Sequence, residues 1–442
     1  MTTLDQDRTT HAHMGPTPPA SGPMTIAEIV EAVTQAPLPV RLTAYDGSAT
    51  GSVDAPLAMH LKNPRGMAYI ATAPGDLGLA RAYVSGDLEL GGVHPGDPYE
   101  ALLALERLSF RRPTARKAVE IARTLGLKGM TPPPPPPQEA MPRWRRVAEG
   151  LRHSKGRDAE AIHHHYDVSN RFYEMVLGPS MTYTCACYPQ ASASLEEAQS
   201  NKYRLVFDKL ALSSGYRLLD IGCGWGGMVR YAARRGVKAL GVTLSKEQAA
   251  WAQRAIREEG LEEFAEVRHG DYRDIDETGF DAVSSIGLTE HIGVANYPSY
   301  FTWIQDRLRH GGLLLNHCIT RPDNRPQETG AFIDRYVFPD GELTGSGRII
   351  TEIQNIGLEV VHEENLREHY ALTLGEWCAN LEHHWEAAVD EVGEGTARVW
   401  GLYMAGSRLA FERNEIQLHQ VLAVKPHRDG RSGLQLRPWW AA

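Results

Sequence analysis

The chain is poor in features that mark several protein classes. Its 442 residues hold five cysteines, Cys185, Cys187, Cys223, Cys318 and Cys378, an odd number without paired Cys-x-x-Cys spacing. That argues against a disulfide framework or a zinc site and fits a reducing cytoplasm. No run of about 18 apolar residues occurs, and no apolar core flanked by positive charge lies near the N-terminus, so neither membrane spanning nor export is expected. Any lipid contact would be peripheral. A net charge of −9 argues against nucleic acid as the main partner. Internal repeats are absent.

What is present is concentrated in one turn. Residues 217–221 read as a short buried strand and 228–235 as a helix, with Asp220-Ile221-Gly222-Cys223-Gly224-Trp225-Gly226-Gly227 between them. Gly222, Gly224 and Gly226 let the backbone approach a ligand with no Cβ in the way, the helix start offers free N–H groups, and Asp220 adds a carboxylate. The glycine pattern differs from the dinucleotide fingerprint and no Lys-Ser or Lys-Thr follows, which disfavours pyrophosphate. A carboxylate there suits a cationic or zwitterionic nucleoside. The arrangement resembles motif I of class I S-adenosylmethionine-dependent methyltransferases.

Length favours two domains. Residues 1–22 are too polar to order themselves, and 23–130 carry short alternating, strand-like runs such as 40–44 and 67–71, separated by Gly, Pro and Asp, which predicts a small α+β domain. Prolines 132–137 predict a stiff spacer within a 131–142 linker, followed by a 143–426 domain and a 427–442 tail. Strands at 217–221, 239–243, 266–268, 281–285 and 312–316 alternate with helices, which predicts a doubly wound, mostly parallel α/β sheet. Ligands of such sheets sit beyond the C-terminal strand ends, where Gly222, Thr243, Asp271, Glu290 and His317 fall. The second strand ends without an acidic residue, so Thr243, Leu244, Ser245 and Gln248 would contact a ribose neutrally. Asp271 and Tyr272 offer a carboxylate and an aromatic face for an adenine.

Three further segments bring reactive groups: 163–170 with its His-His-His-Tyr-Asp, 181–187 with Cys185, and 287–293 with Glu290. A histidine run alone is no trusted metal spacing, and no metal is expected. By composition Cys185 is as readily a small buried hydrophobe as a ligand or nucleophile. His-Tyr-Asp-Val-Ser-Asn-x-Phe-Tyr, Tyr-Thr-Cys-Ala, Asp-Ile-Gly-Cys-Gly-Trp-Gly, Gly-Val-Thr-Leu-Ser, Gly-Asp-Tyr-Arg-Asp and Glu-His-Ile-Gly stand here in the order and spacing of the cyclopropane-fatty-acyl-phospholipid synthase family. The resemblance covers about residues 160–425, and 55–105 are similar, less specifically, to that family's smaller lipid-engaging N-terminal domain.

The resemblance implies methyl transfer from S-adenosylmethionine to a cis double bond in an acyl chain of an intact phospholipid. Cofactor contacts would come from Tyr183, Thr184, Asp220, Gly222, Gly224, Gly226, Thr243, Leu244, Ser245, Gln248, Asp271 and Tyr272. A bound bicarbonate would act as base, held by Cys185, Glu290, His317, the main chain of Ile319, and Tyr370; His317 or Glu290 as the base itself stays open. Tyr166, Phe172, Tyr183, Tyr336 and Tyr370 are aromatic candidates for steadying a carbocation, about half of them expected at the site. Leu288-Thr289 replaces the Met-Phe of typical cyclopropane synthases and resembles the actinobacterial subgroup that makes 10-methylene stearoyl chains, precursors of tuberculostearic acid. Ring closure to a cyclopropane is the alternative.

Partners implied are unsaturated phospholipid, a flavin- or NADPH-dependent reductase for the methylene product, and a second copy of the chain. Between Arg107 and Arg157 thirteen Lys or Arg face three Glu, which suits docking on an anionic inner membrane surface. Competing classes are a methyltransferase of a soluble small molecule or of carrier-bound acyl chains, the carrier-bound type usually lacking the N-terminal domain, and a non-catalytic lipid-binding protein.

Overall fold

The computed structural model describes residues 23–35, 37–139, 168–325, 327–328, 330–338 and 341–441. The 1–22 tail, the 143–167 start of the expected catalytic domain with His163 to Tyr166, and the basic residues from Arg143 to Arg157 lie outside the described residues.

Residues 23–130 build a four-stranded sheet in the order β2-β1-β3-β4, with β1 Arg41–Ala44, β2 Ala49–Thr50, β3 Ala58–Leu61 and β4 Leu88–Gly91. Helices Ile26–Val33, Pro64–Thr72, Asp76–Val84, Tyr99–Glu106 and Ala115–Met130 accompany it. One expectation is corrected. Residues 67–71, read as an alternating strand-like run, lie in helix Pro64–Thr72, because Asn63 accepts from Gly66 N as an N-cap and Pro64 occupies the first turn. Those start signals outweigh a five-residue alternation, and Met67, Ala68 and Tyr69 are buried together.

The larger sheet has seven strands: β5 Arg217–Ile221, β6 Lys238–Thr243, β7 Ala265–His269, β8 Phe280–Ile286, β9 Leu308–Thr320, β12 Glu359–Asn365 and β13 Gln417–Val424, with a short β10 Gln327–Glu328 and β11 Glu342–Leu343 pairing apart. Its order is β12-β13-β9-β8-β5-β6-β7. Strands β5 to β9 run parallel, and Leu218, Leu219 and Ile221 are fully buried, as strands covered by helices on both faces must be. The chain leaves β5 towards β7, then returns to its other side with β8. That reversal opens a crevice at the C-terminal ends of β5 and β8. An antiparallel β13, absent from the sequence reading, sets Gln420 opposite His317 and His419 opposite Cys318.

The two units are joined by packing as well as by chain. Helix Glu394–Glu412 lies against helices Asp76–Val84 and Tyr99–Glu106, and Arg398 donates to the Tyr83 carbonyl at 2.8 Å. The proline run lies against this body rather than spanning free space: Tyr69 Oη donates to the Pro134 carbonyl at 2.6 Å. Just beyond it, the fully buried Glu139 carboxylate bridges Arg81 of the N-terminal unit at 2.6 Å and Arg335 of the catalytic unit at 2.5 Å. Burial raises its proton affinity, but the hydrogen bonds from Arg81 and Arg335 outweigh this and hold the carboxyl below its ordinary range. Residues 427–441, within the segment expected to be a tail, also return to the core, where Trp439 Nε1 donates to the Asp208 carbonyl at 2.6 Å and Trp440 stacks on His362.

Removing one partner of a buried ionic cluster leaves the others without compensation, so Glu139→Ala is expected to cost about 3–5 kcal/mol. Urea unfolding should show the loss and limited proteolysis should show the 23–130 unit loosened. An unchanged midpoint would remove the cluster from any role in holding the units together.

Candidate active site

Helix Leu195–Lys209 explains much of the site's electrostatics. Its buried stripe is Leu195, Ala198, Gln199, Lys202, Val206 and Lys209, the helical spacing of a core face with polar residues in apolar slots. Lys202 is fully buried and its Nζ donates to Thr184 Oγ1 at 2.6 Å. Burial pulls its proton affinity down to about 8. It shares a cavity wall with Asp220, whose Oδ1 accepts from Ser284 Oγ at 2.5 Å and which burial pushes up to about 7.

This first cavity lies in the crevice beyond β5, β6 and β8. Its walls include Tyr183, Thr184, Asp220, Gly222, Gly224, Thr243, Leu244, Gln248, Asp271 and Tyr272. The glycine turn is shaped for close approach: Gly226 has φ +73°, and a Cβ on Gly227 would stand 2.0 Å from Tyr203 Oη. Trp225 Nε1 donates to Asn170 Oδ1 at 2.8 Å, so the Val-Ser-Asn end of the histidine-containing motif braces the turn. Thr243 Oγ1 donates to Gln248 Oε1 at 2.8 Å. Asp271 is paired with Arg273 at 2.5 Å, and Tyr272 packs edge-on against Tyr300 and Trp303.

Two expected cofactor contacts stand behind the wall. Ser245 caps helix Lys246–Glu258, accepting from Gln248 N at 3.2 Å. Gly226 faces Ala252 and Val267, where its missing side chain allows helix and strand to close up. Lys202 is a wall residue that motif reading missed, and the signal was its place in the apolar stripe. A buried ammonium and a buried carboxylate on one wall suit the zwitterionic end of S-adenosylmethionine, and the neutral Thr243–Gln248 pair suits its ribose. The residues fit that cofactor.

A second cavity of about 520 Å³ adjoins the first, sharing Tyr183, Thr184, Gly287 and His291. It is mostly apolar and falls within the roughly 300–1,000 Å³ of small-molecule sites. Met59, Leu79, Leu88, Leu90, Leu102 and Leu105 of the N-terminal unit roof it. Cys185, Glu290, His317, Ile319 and Tyr370, scattered over 186 positions of chain (185 to 370), all line its floor.

Two of these floor residues carry unsatisfied atoms. Glu290 Oε1 accepts from Ile319 N at 2.7 Å, while Glu290 Oε2 and His317 Nε2 are buried without a hydrogen-bond partner among the described residues. Burial pushes Glu290 up to about 7 and holds His317 neutral, well below its ordinary range. Burial also pushes the Cys185 thiol well up, so it faces the cavity as a thiol, not as a nucleophilic thiolate. Two orphaned polar groups in an apolar chamber ask for a small polar occupant.

The aromatic lining differs in part from expectation. Tyr183 and Tyr370 line the second cavity, joined by Tyr83, Phe332, Phe338, Tyr403 and Phe411. Phe172 is sealed in the core against Trp400, and Tyr336 donates to Glu139 at 3.2 Å instead. Tyr166 is outside the described residues. Tyr183 spans the two cavities, its Oη donating to Tyr403 Oη at 3.0 Å.

Comparison with known proteins agrees with this geometry. The family model described as mycolic acid cyclopropane synthetase matches residues 153–421. The probable fatty acid methyltransferase Rv3720 of Mycobacterium tuberculosis is 66% identical over 95% of this chain and 99% of its own. A probable fatty acid methyltransferase of Pseudomonas putida is 40% identical over 94% and 98%. The crystal structure of mycolic acid cyclopropane synthase CmaA1 complexed with SAH and CTAB is 30% identical, with a TM-score of 0.57, covering 60% of this chain and 98% of that one. The chain belongs to the cyclopropane-fatty-acyl-phospholipid synthase family and is an S-adenosylmethionine-dependent methyltransferase of class I fold.

Proposed function

We propose that the enzyme methylates the cis double bond of an unsaturated acyl chain in a membrane phospholipid, leaves a 10-methylene chain, and uses a bound bicarbonate as its base. The observation that carries this reading is the shared wall of the two cavities, which brings a polar donor site against an oily chamber large enough for a lipid tail. An alkene is a poor nucleophile, so the protein's task is to hold it at near-attack distance, which is worth several kcal/mol. Tyr183 at the junction and Tyr403 bonded to it offer π faces to the cation that follows.

When bound, S-adenosylmethionine supplies the methyl group and bicarbonate the proton acceptor. Glu290 and His317 would hold that anion. With Oε1 occupied by Ile319 N, a protonated Glu290 donates from Oε2, and Cys185 and Tyr370 complete the polar floor of a chamber that a long charged side chain could enter only at high desolvation cost. Leu288 lines the donor cavity beside Gly222, whereas Thr289 is buried behind it, donating to Asn316 Oδ1 at 2.6 Å. The identity to a probable fatty acid methyltransferase over nearly the full chain supports a branched product. A methylene product leaves a reduction for a separate flavin- or NADPH-dependent enzyme.

The described part of the basic run supports docking on an anionic bilayer from the cytoplasmic side. Phe110, Val119, Leu127 and Met130 are exposed there among Arg111, Arg112, Arg116, Lys117, Arg123 and Lys128. Exposed apolar side chains interspersed with cations are the composition of an interfacial segment. Among the described residues no helix is long and apolar enough to cross a membrane.

Four outcomes are expected. Labelled methyl groups should enter acyl chains of unsaturated phospholipid vesicles, and chromatography should show a methylene branch; exclusive cyclopropane would assign ring closure instead. In buffer stripped of carbon dioxide, turnover should fall at least tenfold and return with bicarbonate. With bicarbonate fixed, kcat/KM should decline as pH rises through about 7 and the Glu290 proton is lost; a decline on the acid side would make Glu290 itself the base. Sedimentation with anionic vesicles should weaken as salt shortens the screening length, and binding indifferent to salt would exclude electrostatic docking.

A further inference from the structure

Gln420 sits across the β9–β13 pair from His317, and its Nε2 lies 3.1 Å from His317 Nδ1. Its Oε1 accepts from Lys209 Nζ at 2.8 Å, and the same ammonium is 2.5 Å from Glu364 Oε2. The direction of this chain is forced. An ammonium only donates, so the amide must turn its oxygen to Lys209 and its NH₂ to His317. His317 Nδ1 therefore accepts, and the proton of the neutral ring sits on Nε2. That nitrogen is buried, has no hydrogen-bond partner among the described residues, and belongs to a ring lining the apolar chamber.

We propose that Gln420, its amide oriented by Lys209 and Glu364, is a positioning residue that fixes His317 as an Nε2–H donor towards the anion of the base site. The inference rests on the bicarbonate reading given above. It accounts for the burial of Lys209, 1% exposed, in a core where a hydrophobe would pack at lower cost. In the other tautomer the Nε2 lone pair would face the anion and repel it. Groups behind a ligating histidine commonly set its tautomer in this way, and their loss costs about 10- to 100-fold in activity or affinity.

Protein labelled with ¹⁵N-histidine provides the test by long-range ¹H–¹⁵N correlation, with the His317 signals identified by difference from His317→Asn. The wild-type spectrum should show Nε2 protonated and Nδ1 bare. In Gln420→Glu the carboxylate can only accept, so the proton should move to Nδ1, and kcat/KM for bicarbonate should drop about 10- to 100-fold while the KM for S-adenosylmethionine holds. A wild-type Nδ1–H ring, or a ring unmoved by Gln420→Glu, would overturn the proposal. Should Gln420→Glu fail to fold, the wild-type tautomer decides alone. If the tautomer is as stated but turnover ignores bicarbonate, the base reading falls and the positioning of His317 stands; if bicarbonate is needed but Nε2 carries no proton, the reverse holds.

Discussion

Desolvation is the constraint on which the catalytic chemistry depends. Lys202, Asp220, Glu290 and His317 are each no more than 8% exposed. Taken out of water, each shifts towards its neutral form: the two carboxyls rise to about 7, the amine falls to about 8, and the imidazole stays uncharged. Near neutral pH His317 is thus uncharged, the Asp220 and Glu290 carboxyls stand close to their midpoints, and Lys202 keeps most of its charge. A zwitterionic donor beside Lys202 and Asp220, and an anion beside Glu290 and His317, would bring the charges that these groups are placed to meet. The protein arranges proton donors and acceptors in advance, and low dielectric makes each of them count.

How much of this was legible in the chain depended on how local each signal was. The turn after Asp220 could be read because strand, glycines and helix are contiguous, and the alternation of strands with helices gave the sheet. Cys185, Glu290, His317, Ile319 and Tyr370 lie far apart in sequence and could be grouped only by likeness to a family; topology brings them to one floor. Lys202 and Lys209 went unread because a lysine on a helix is ordinarily solvated, and only its phase within the stripe marks it as internal. The role of Gln420 needed β13, an antiparallel strand added at the far end of the chain. Residues 67–71 misled because five alternating residues carry less information than an Asn-Pro helix start.

The N-terminal unit is more than an appendage. It contributes the roof of the oily chamber, and helix Tyr99–Glu106, which carries Leu102 and Leu105 of that roof, leads within a few residues into the cationic, partly apolar surface of 107–130. One short stretch therefore both lines the chamber and reaches the exposed face. Glu139, Arg81 and Arg335 fasten this unit to the catalytic half at a point where three separate segments meet.

Helix Glu394–Glu412, which covers helices Asp76–Val84 and Tyr99–Glu106, is encoded some three hundred residues after them. During translation the apolar surface of the first unit must therefore wait, uncovered, until the chain as far as Glu412 has left the ribosome. That delay is an interval of exposure to aggregation, during which a chaperone would serve as the temporary lining of a chamber later meant for fat.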